Sequence, residues 1–168
     1  RPGEEAALSQ FSAEKFTTKA REAIEGAQVL APTEGHTNVE PVHLLVALLR
    51  DPEGSTQSLV TRSGVDAQAL LGAARSEVDR LPSATGSTVQ RPAPSAAFTR
   101  VLAKAIDLAG SMKDDYVATE HLLVSLAAVE SAAQRVLGSA GLDQKGLSEQ
   151  LVAMRGNRRV TSPDAEST

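Results

Sequence analysis

The sequence predicts an all-α fold: two pseudo-repeated four-helix units packed as one eight-helix domain. Three observations predict it. Apolar residues recur at helical spacing along most of the chain, no segment alternates strictly enough to argue for a strand, and three blocks of the first half return in order in the second.

The first block is an amphipathic face, Phe16, Ala20, Ala23, Ile24 and Ala27. Phe98, Leu102, Ala105, Ile106 and Ala109 repeat its spacing 82 residues later. In the second block, Val39-Glu40-Pro41-Val42-His43-Leu44-Leu45-Val46 matches Val117-Ala118-Thr119-Glu120-His121-Leu122-Leu123-Val124 at a separation of 78, so the preceding connector reads as four residues shorter in the second copy. The third block sets Gly64, Val65, Asp66, Leu70 and Ala74 against Gly141, Leu142, Asp143, Leu147 and Leu151 at 77.

Punctuation places the helices at roughly 17–31, 41–50, 55–63 and 66–80, and again at 96–113, 119–129, 131–139 and 143–155. Pro41 suits the first helical position, where a missing N–H costs nothing. Thr119 reads as the N-cap of the equivalent helix, with Glu120 favoured by the dipole in its first turn. Gly64-Val65-Asp66 and Gly141-Leu142-Asp143 each read as a helix stop followed by a new cap.

These marks divide the chain into an N-terminal extension over 1–15 expected to be flexible, a domain over 16–155, and a flexible exit over 156–168. Within the domain, repeat 1 covers about 16–81 and repeat 2 about 95–155. The stretch 82–94, rich in Pro, Gly and Ser, reads as a linker between them. The chain opens on Arg1 rather than Met, as a piece of a longer protein would.

Composition excludes several classes of function. The 168 residues carry three Phe, one Tyr and no Trp, so the core must be aliphatic and little is left on which bases could stack. A net charge of −4 supplies no overall basic face for nucleic acid. The one basic cluster, Arg155, Arg158 and Arg159, reads as a solvated tail. With no cysteine, disulfides and thiolate metal sites are out, which suits a reducing cytoplasm. The longest apolar runs fall far short of the ~20 residues that span a bilayer, and the first ten residues lack a signal peptide's apolar stretch.

Motifs for chemistry are absent. The chain contains no GxxxxGK[ST], GxGxxG, HExxH or GxSxG, so neither a nucleotide nor a hydrolytic centre is indicated. Asp114-Asp115 lacks the alternating ligands of a calcium loop and reads as a solvated pair. His36 reads as an exposed loop residue. His43 and His121 recur at one repeat position, where each reads as a structural imidazole bonded to nearby backbone. The seam between the halves is the remaining candidate site, expected as an apolar groove near Leu102, Leu108, Tyr116 and Thr17. Leu102 has two readings, a wall of that groove or a core residue by its repeat position; Tyr116 either lines the groove or caps its own half.

Phe16-Thr17-Thr18-Lys19-Ala20-Arg21-Glu22-Ala23, the Val39–Leu45 block and Asp115-Tyr116-Val117-Ala118-Thr119-Glu120-His121-Leu122-Leu123 together resemble the repeated N-terminal domain of the Clp ATPases, over about 16–155. The segment from Asp79-Arg80-Leu81-Pro82 and the exit Arg155-Gly156-Asn157-Arg158-Arg159-Val160 look like the ClpB-type disaggregase branch.

That resemblance implies a non-catalytic domain tethered to a hexameric ATP-driven motor, where it captures unfolded or aggregated clients. It puts substrate contacts at Thr17, Leu102, Leu108, Asp114 and Glu120, beside Tyr116 from the seam, and leaves Pro41, His43, Thr119 and His121 structural. His121 and Lys104 depart from apolar groove positions of some relatives, which implies a narrower or more polar groove. ATP and magnesium are expected only in motor modules that this chain lacks. An adaptor or an Hsp70-type co-chaperone is admitted as a partner, nucleic acid and membrane are not, and the isolated domain is expected to be monomeric. An adaptor-docking domain of a protease-linked Clp ATPase and a stand-alone Clp-repeat adaptor stay open as alternatives. A small helical enzyme has no motif in its favour.

Overall fold

The computed structural model describes residues 13–52, 54–83 and 92–167. Among these, eight α-helices follow one another: α1 (Thr18–Thr33), α2 (Pro41–Leu49), α3 (Ser55–Arg62), α4 (Ala67–Arg80), α5 (Ala96–Ser111), α6 (Thr119–Ala128), α7 (Ala132–Ser139) and α8 (Gln144–Arg155). Single 3-10 turns cover Ala13–Lys15 and Ala165–Ser167. Residues 1–12 of the expected extension and 84–91 of the expected linker lie outside the described residues.

The helix starts follow from capping chemistry. Thr17, Asp66, Ser95, Ser131 and Asp143 each accept a backbone N–H from the first turn of their helix, at 2.8–3.2 Å. Pro41 opens α2 directly after Glu40. Thr119 proves to be the first residue of α6, with Ala118 in the capping position, so its expected capping role moves by one residue. Gly64 and Gly141 take φ of 85° and 86°, where a side chain would be strained, and end α3 and the turn after α7.

The repeat has a simpler register than the apolar spacing suggested. The buried positions of α1 are Ala20, Ala23, Ile24, Ala27, Leu30 and Ala31. Those of α5 are Phe98, Val101, Leu102, Ala105 and Ala109, with Leu108 half-buried. Each lies 78 residues after its counterpart, not 82, and the connectors to α2 and α6 are therefore equal in length. A helical face nearly maps onto itself when shifted by four residues, which is why the sequence alone set this helix one turn out of register.

Short strands also appear where alternation predicted none. β1 (Asn38–Val39) pairs in parallel with β2 (Ala93–Pro94), and a parallel bridge joins Phe16 to Val117. Two-residue strands are too short to leave an alternating signature. They tie the chain before each repeat's first helix to the chain before the other repeat's second helix.

The two units share one aliphatic core. Packing across them is reciprocal: α4 of the first meets α7 of the second, and α3 meets α8. Phe16 and Phe98 are wholly buried, and α2 and α6 are buried along nearly their whole lengths. Among the described residues no helix is long and apolar enough to cross a membrane.

Candidate functional site

Where the repeats meet, three helix beginnings converge. Thr17 N–H donates to the Val117 carbonyl (3.0 Å) and Val117 N–H to the Lys15 carbonyl (2.7 Å), bringing the start of α1 beside the start of α6. Ser55, the first residue of α3, lies 2.9 Å from the Thr119 hydroxyl. Into this junction the Glu166 carboxylate projects. It accepts Thr119 N–H (3.0 Å) and the hydroxyls of Thr17 and Thr119, and lies 3.1 Å from Ser55 Oγ. Positive helix ends and hydroxyl donors suit an anion here.

Beside it sits a buried ionic cluster. Arg155 Nε donates to Glu120 Oε2 (2.7 Å), and its terminal nitrogens reach Asp114 Oδ1 (3.0 Å) and Oδ2 (2.9 Å). His121 Nδ1 accepts the Ala118 N–H (2.8 Å), so its Nε2–H points at Asp114 Oδ2 (2.7 Å). Burial alone would raise the pKa of Asp114. The Arg155 guanidinium, the Val160 amide and His121 outweigh it and hold the carboxyl below its ordinary range. Burial lowers the pKa of His121 despite the pull of Glu120 and Asp114, so the ring is neutral. Burial opposes the charge on Arg155 as well, yet Asp114 and Glu120 raise its pKa.

The exit segment lies across these groups and does not hang free. Asp115 N–H donates to the Val160 carbonyl (2.8 Å), Val160 N–H to Asp114 Oδ1 (2.9 Å) and Thr18 N–H to the Pro163 carbonyl (2.8 Å). Val160 is itself buried. Between this strap, α3 and α8 opens a cleft of about 820 Å³, with Ser55, Arg62, Glu120, Arg158, Arg159 and Glu166 among its walls. Of the residues expected to line a groove at the seam, only Glu120 borders this cleft, where the charged ends of α3 and α8 meet; Thr17, Leu102, Leu108, Asp114 and Tyr116 do not.

Several expected site residues change role. Leu102 is 0% exposed and belongs to the core as the counterpart of Ile24, which settles its two readings. Leu108 and Tyr116 are half-buried and face the surface in part. Asp115 is exposed, but the Asp114 side chain is fully buried and ion-paired, so the expected solvated pair is corrected for Asp114. Arg155 leaves the expected solvated tail for the same reason. Thr17 and Glu120 are buried in the junction. His36 is 4% exposed, not a free loop residue, because its Nδ1 lies 2.8 Å from His43 Nε2. His43 Nδ1 accepts the Glu40 N–H (2.9 Å), as His121 does in the second unit.

Sequence reasoning missed Ser55, Val160 and Glu166. Ser55 had a signal, a hydroxyl residue opening a helix. Glu166 had none, since 149 residues separate it from Thr17. Among the described residues no group of three His, Cys, Asp or Glu is placed to hold a metal ion.

Duplicated four-helix units, reciprocally packed with a capped histidine in each second helix, make this a Clp-repeat fold. The Clp repeat (R) N-terminal domain family matches residues 15–153, and the chain belongs to that family. It is 44% identical to the chaperone protein ClpB of Propionibacterium freudenreichii over 91% of this chain, and it spans 18% of that protein's length. The structure is similar to the Hsp104 N-terminal domain of Candida albicans, with a TM-score of 0.77 at 26% identity, over 90% of this chain and 99% of that one. It is also similar to the N-terminal domain of the chaperone ClpD of Arabidopsis thaliana, with a TM-score of 0.62 at 28% identity, over 89% and 100%.

Proposed function

We propose that this chain is the client-recognition domain of a ClpB-type disaggregase, working in the cytoplasm and passing segments of unfolded or aggregated protein to an attached hexameric ATPase. ATP and magnesium would act in the motor, not in this domain. One observation carries the reading: the seam between the repeats already holds a stretch of non-helical chain, residues 160–163, through the backbone groups of Val160 and Pro163. Backbone recognition is blind to sequence, as a receptor of varied clients needs.

Binding at such a seam is weak. Seating one aliphatic side chain contributes about 1.5–3 kcal/mol, and ordering a disordered segment removes several kcal/mol of the gain. Affinities on the order of high micromolar to millimolar follow, and six copies on one motor would restore avidity.

Titrating the isotope-labelled domain with a permanently unfolded client tests the reading. Amide shifts should centre on Thr18, Leu108, Asp115 and Tyr116. Shifts confined to the exposed faces of α4 and α7 would rule it out.

A further inference from the structure

Three features of the strap dominate its recognition. The first is backbone: the carbonyls of Val160 and Pro163 accept the N–H groups of Asp115 and Thr18. The second is an aliphatic side chain, Val160, which is 4% exposed. The third is the Glu166 carboxylate, held by the beginnings of α1, α3 and α6 through Thr17, Ser55 and Thr119. Thr161 and Ser162 lie exposed between them. Thr18 adds one side-chain bond, from its hydroxyl to Asp164 Oδ1 (2.9 Å), at an exposed position.

We infer that the seam is a receptor for a polypeptide segment that turns between an aliphatic residue and, six positions later, a carboxylate, and that residues 160–166 of this chain, which bend at Ser162 and enter a 3-10 turn at Ala165, are its resident occupant. The inference rests on the reading above and narrows its client class. A carboxylate is selected because three helix beginnings present positive ends and hydroxyl donors to one point. Glu120, whose Oε1 also lies 2.8 Å from Ser55 Oγ, has its charge matched by Arg155, and an amide in place of the Glu166 carboxylate would forfeit the charge-assisted bonds. Because the resident segment is tethered, it competes at an effective concentration in the millimolar range. A client must displace it, so apparent affinity is lower with the strap seated than with it released.

The test uses the full chain with Glu166→Lys, and with Glu166→Gln as a variant of nearly unchanged shape. Hydrogen exchange reads the amides of Thr18, Asp115 and Thr119, which the strap protects. In Glu166→Lys their exchange should rise at least tenfold, with a smaller rise in Glu166→Gln. An acetylated synthetic peptide of residues 158–167 should restore protection in trans, and the same peptide with Gln in place of its glutamate should bind about tenfold more weakly. An unfolded, carboxymethylated client should bind Glu166→Lys several-fold more tightly than the unaltered chain. Unchanged exchange at the three amides in both variants would overturn the inference, as would equal affinity for the two peptides. If the peptide binds as stated while no unfolded client binds either protein, the receptor stands and the disaggregase reading falls.

Discussion

His36 and Asp114 lie 78 residues apart and do the same work: each meets the Nε2 of the histidine seven residues on, His43 at 2.8 Å and His121 at 2.7 Å. Since Nδ1 of both rings accepts a backbone N–H, the proton on each is at Nε2, and His36 Nδ1 and Asp114 Oδ2 are its acceptors. The duplicated units thus keep one hydrogen-bond plan with different chemistry. The first is an imidazole pair with ring centroids 5.1 Å apart. The second has a carboxylate in place of the imidazole acceptor, and through Asp114 it reaches Arg155 and the exit segment.

This plan makes the fold acid-sensitive. Burial, helped by His36, lowers the pKa of His43 to about 4, and burial lowers that of His121 as well. Both depressed values lie below the unfolded value near 6.5, so the unfolded chain binds the protons first as pH falls. Stability should be level above pH 6.5 and decline between 6.5 and 4, with His43 alone accounting for roughly 3 kcal/mol of the loss. The measurement is urea unfolding at stepped pH. A midpoint that stays constant down to pH 5 would contradict the neutral, buried rings.

Arg155 joins the same cluster from α8, and its loss should be costly. Arg155→Met leaves Asp114 and Glu120 buried without a counter-charge, a change that typically costs about 3–5 kcal/mol. Thermal unfolding should show the drop. The apparent pKa of Asp114, followed by NMR, should rise, because the first of the groups that hold it down is gone while burial, the Val160 amide and His121 remain.

How much of this was legible in the sequence depends on the range of the interaction concerned. The bounds of α2 and α6 could be read within a residue or two, since Pro41, the apolar runs and the caps are local signals. The identity of α5 was legible, but its register was not, because Phe16 and Phe98 offered a false match at 82 residues when Ala20 is the true counterpart of Phe98. His43 and His121 stood out as a repeated pair, while burial of His36 depended on a ring seven residues away. Glu166 and Ser55 meet only because two repeats fold face to face, and nothing near either residue announces the other.

Leu102 separates core from client contact. It is fully enclosed, so Leu102→Ala should destabilise the domain by about 2–5 kcal/mol. Client affinity, measured well below the melting temperature, should be unchanged per folded molecule. Tyr116→Ala should do the reverse, with a smaller loss of stability and a several-fold weaker client complex. A Leu102→Ala protein that remains folded yet loses client binding would return Leu102 to the site.

Lys113 offers a gain of stability that follows from the duplication itself. It is the counterpart of Gly35 at 78 residues, and both end a helix in the left-handed region, Gly35 at φ 77° and Lys113 at φ 62°. The bonds around them match: His36 N–H reaches the Ala31 carbonyl at 2.8 Å and Asp114 N–H the Ala109 carbonyl at 2.9 Å, the pattern of a glycine-closed helix end. A lysine there bears a conformational cost of about 1–2 kcal/mol, whereas glycine in its place adds roughly 0.5–1 kcal/mol of unfolded-state entropy. Lys113→Gly should therefore stabilise the domain by about 0.5–1 kcal/mol, a rise of roughly 1–4 °C in Tm for a chain this size. Gly35→Lys should cost a similar amount, and a Lys113→Gly protein melting lower than its parent would mean that the lysine side chain contributes something the backbone geometry does not show.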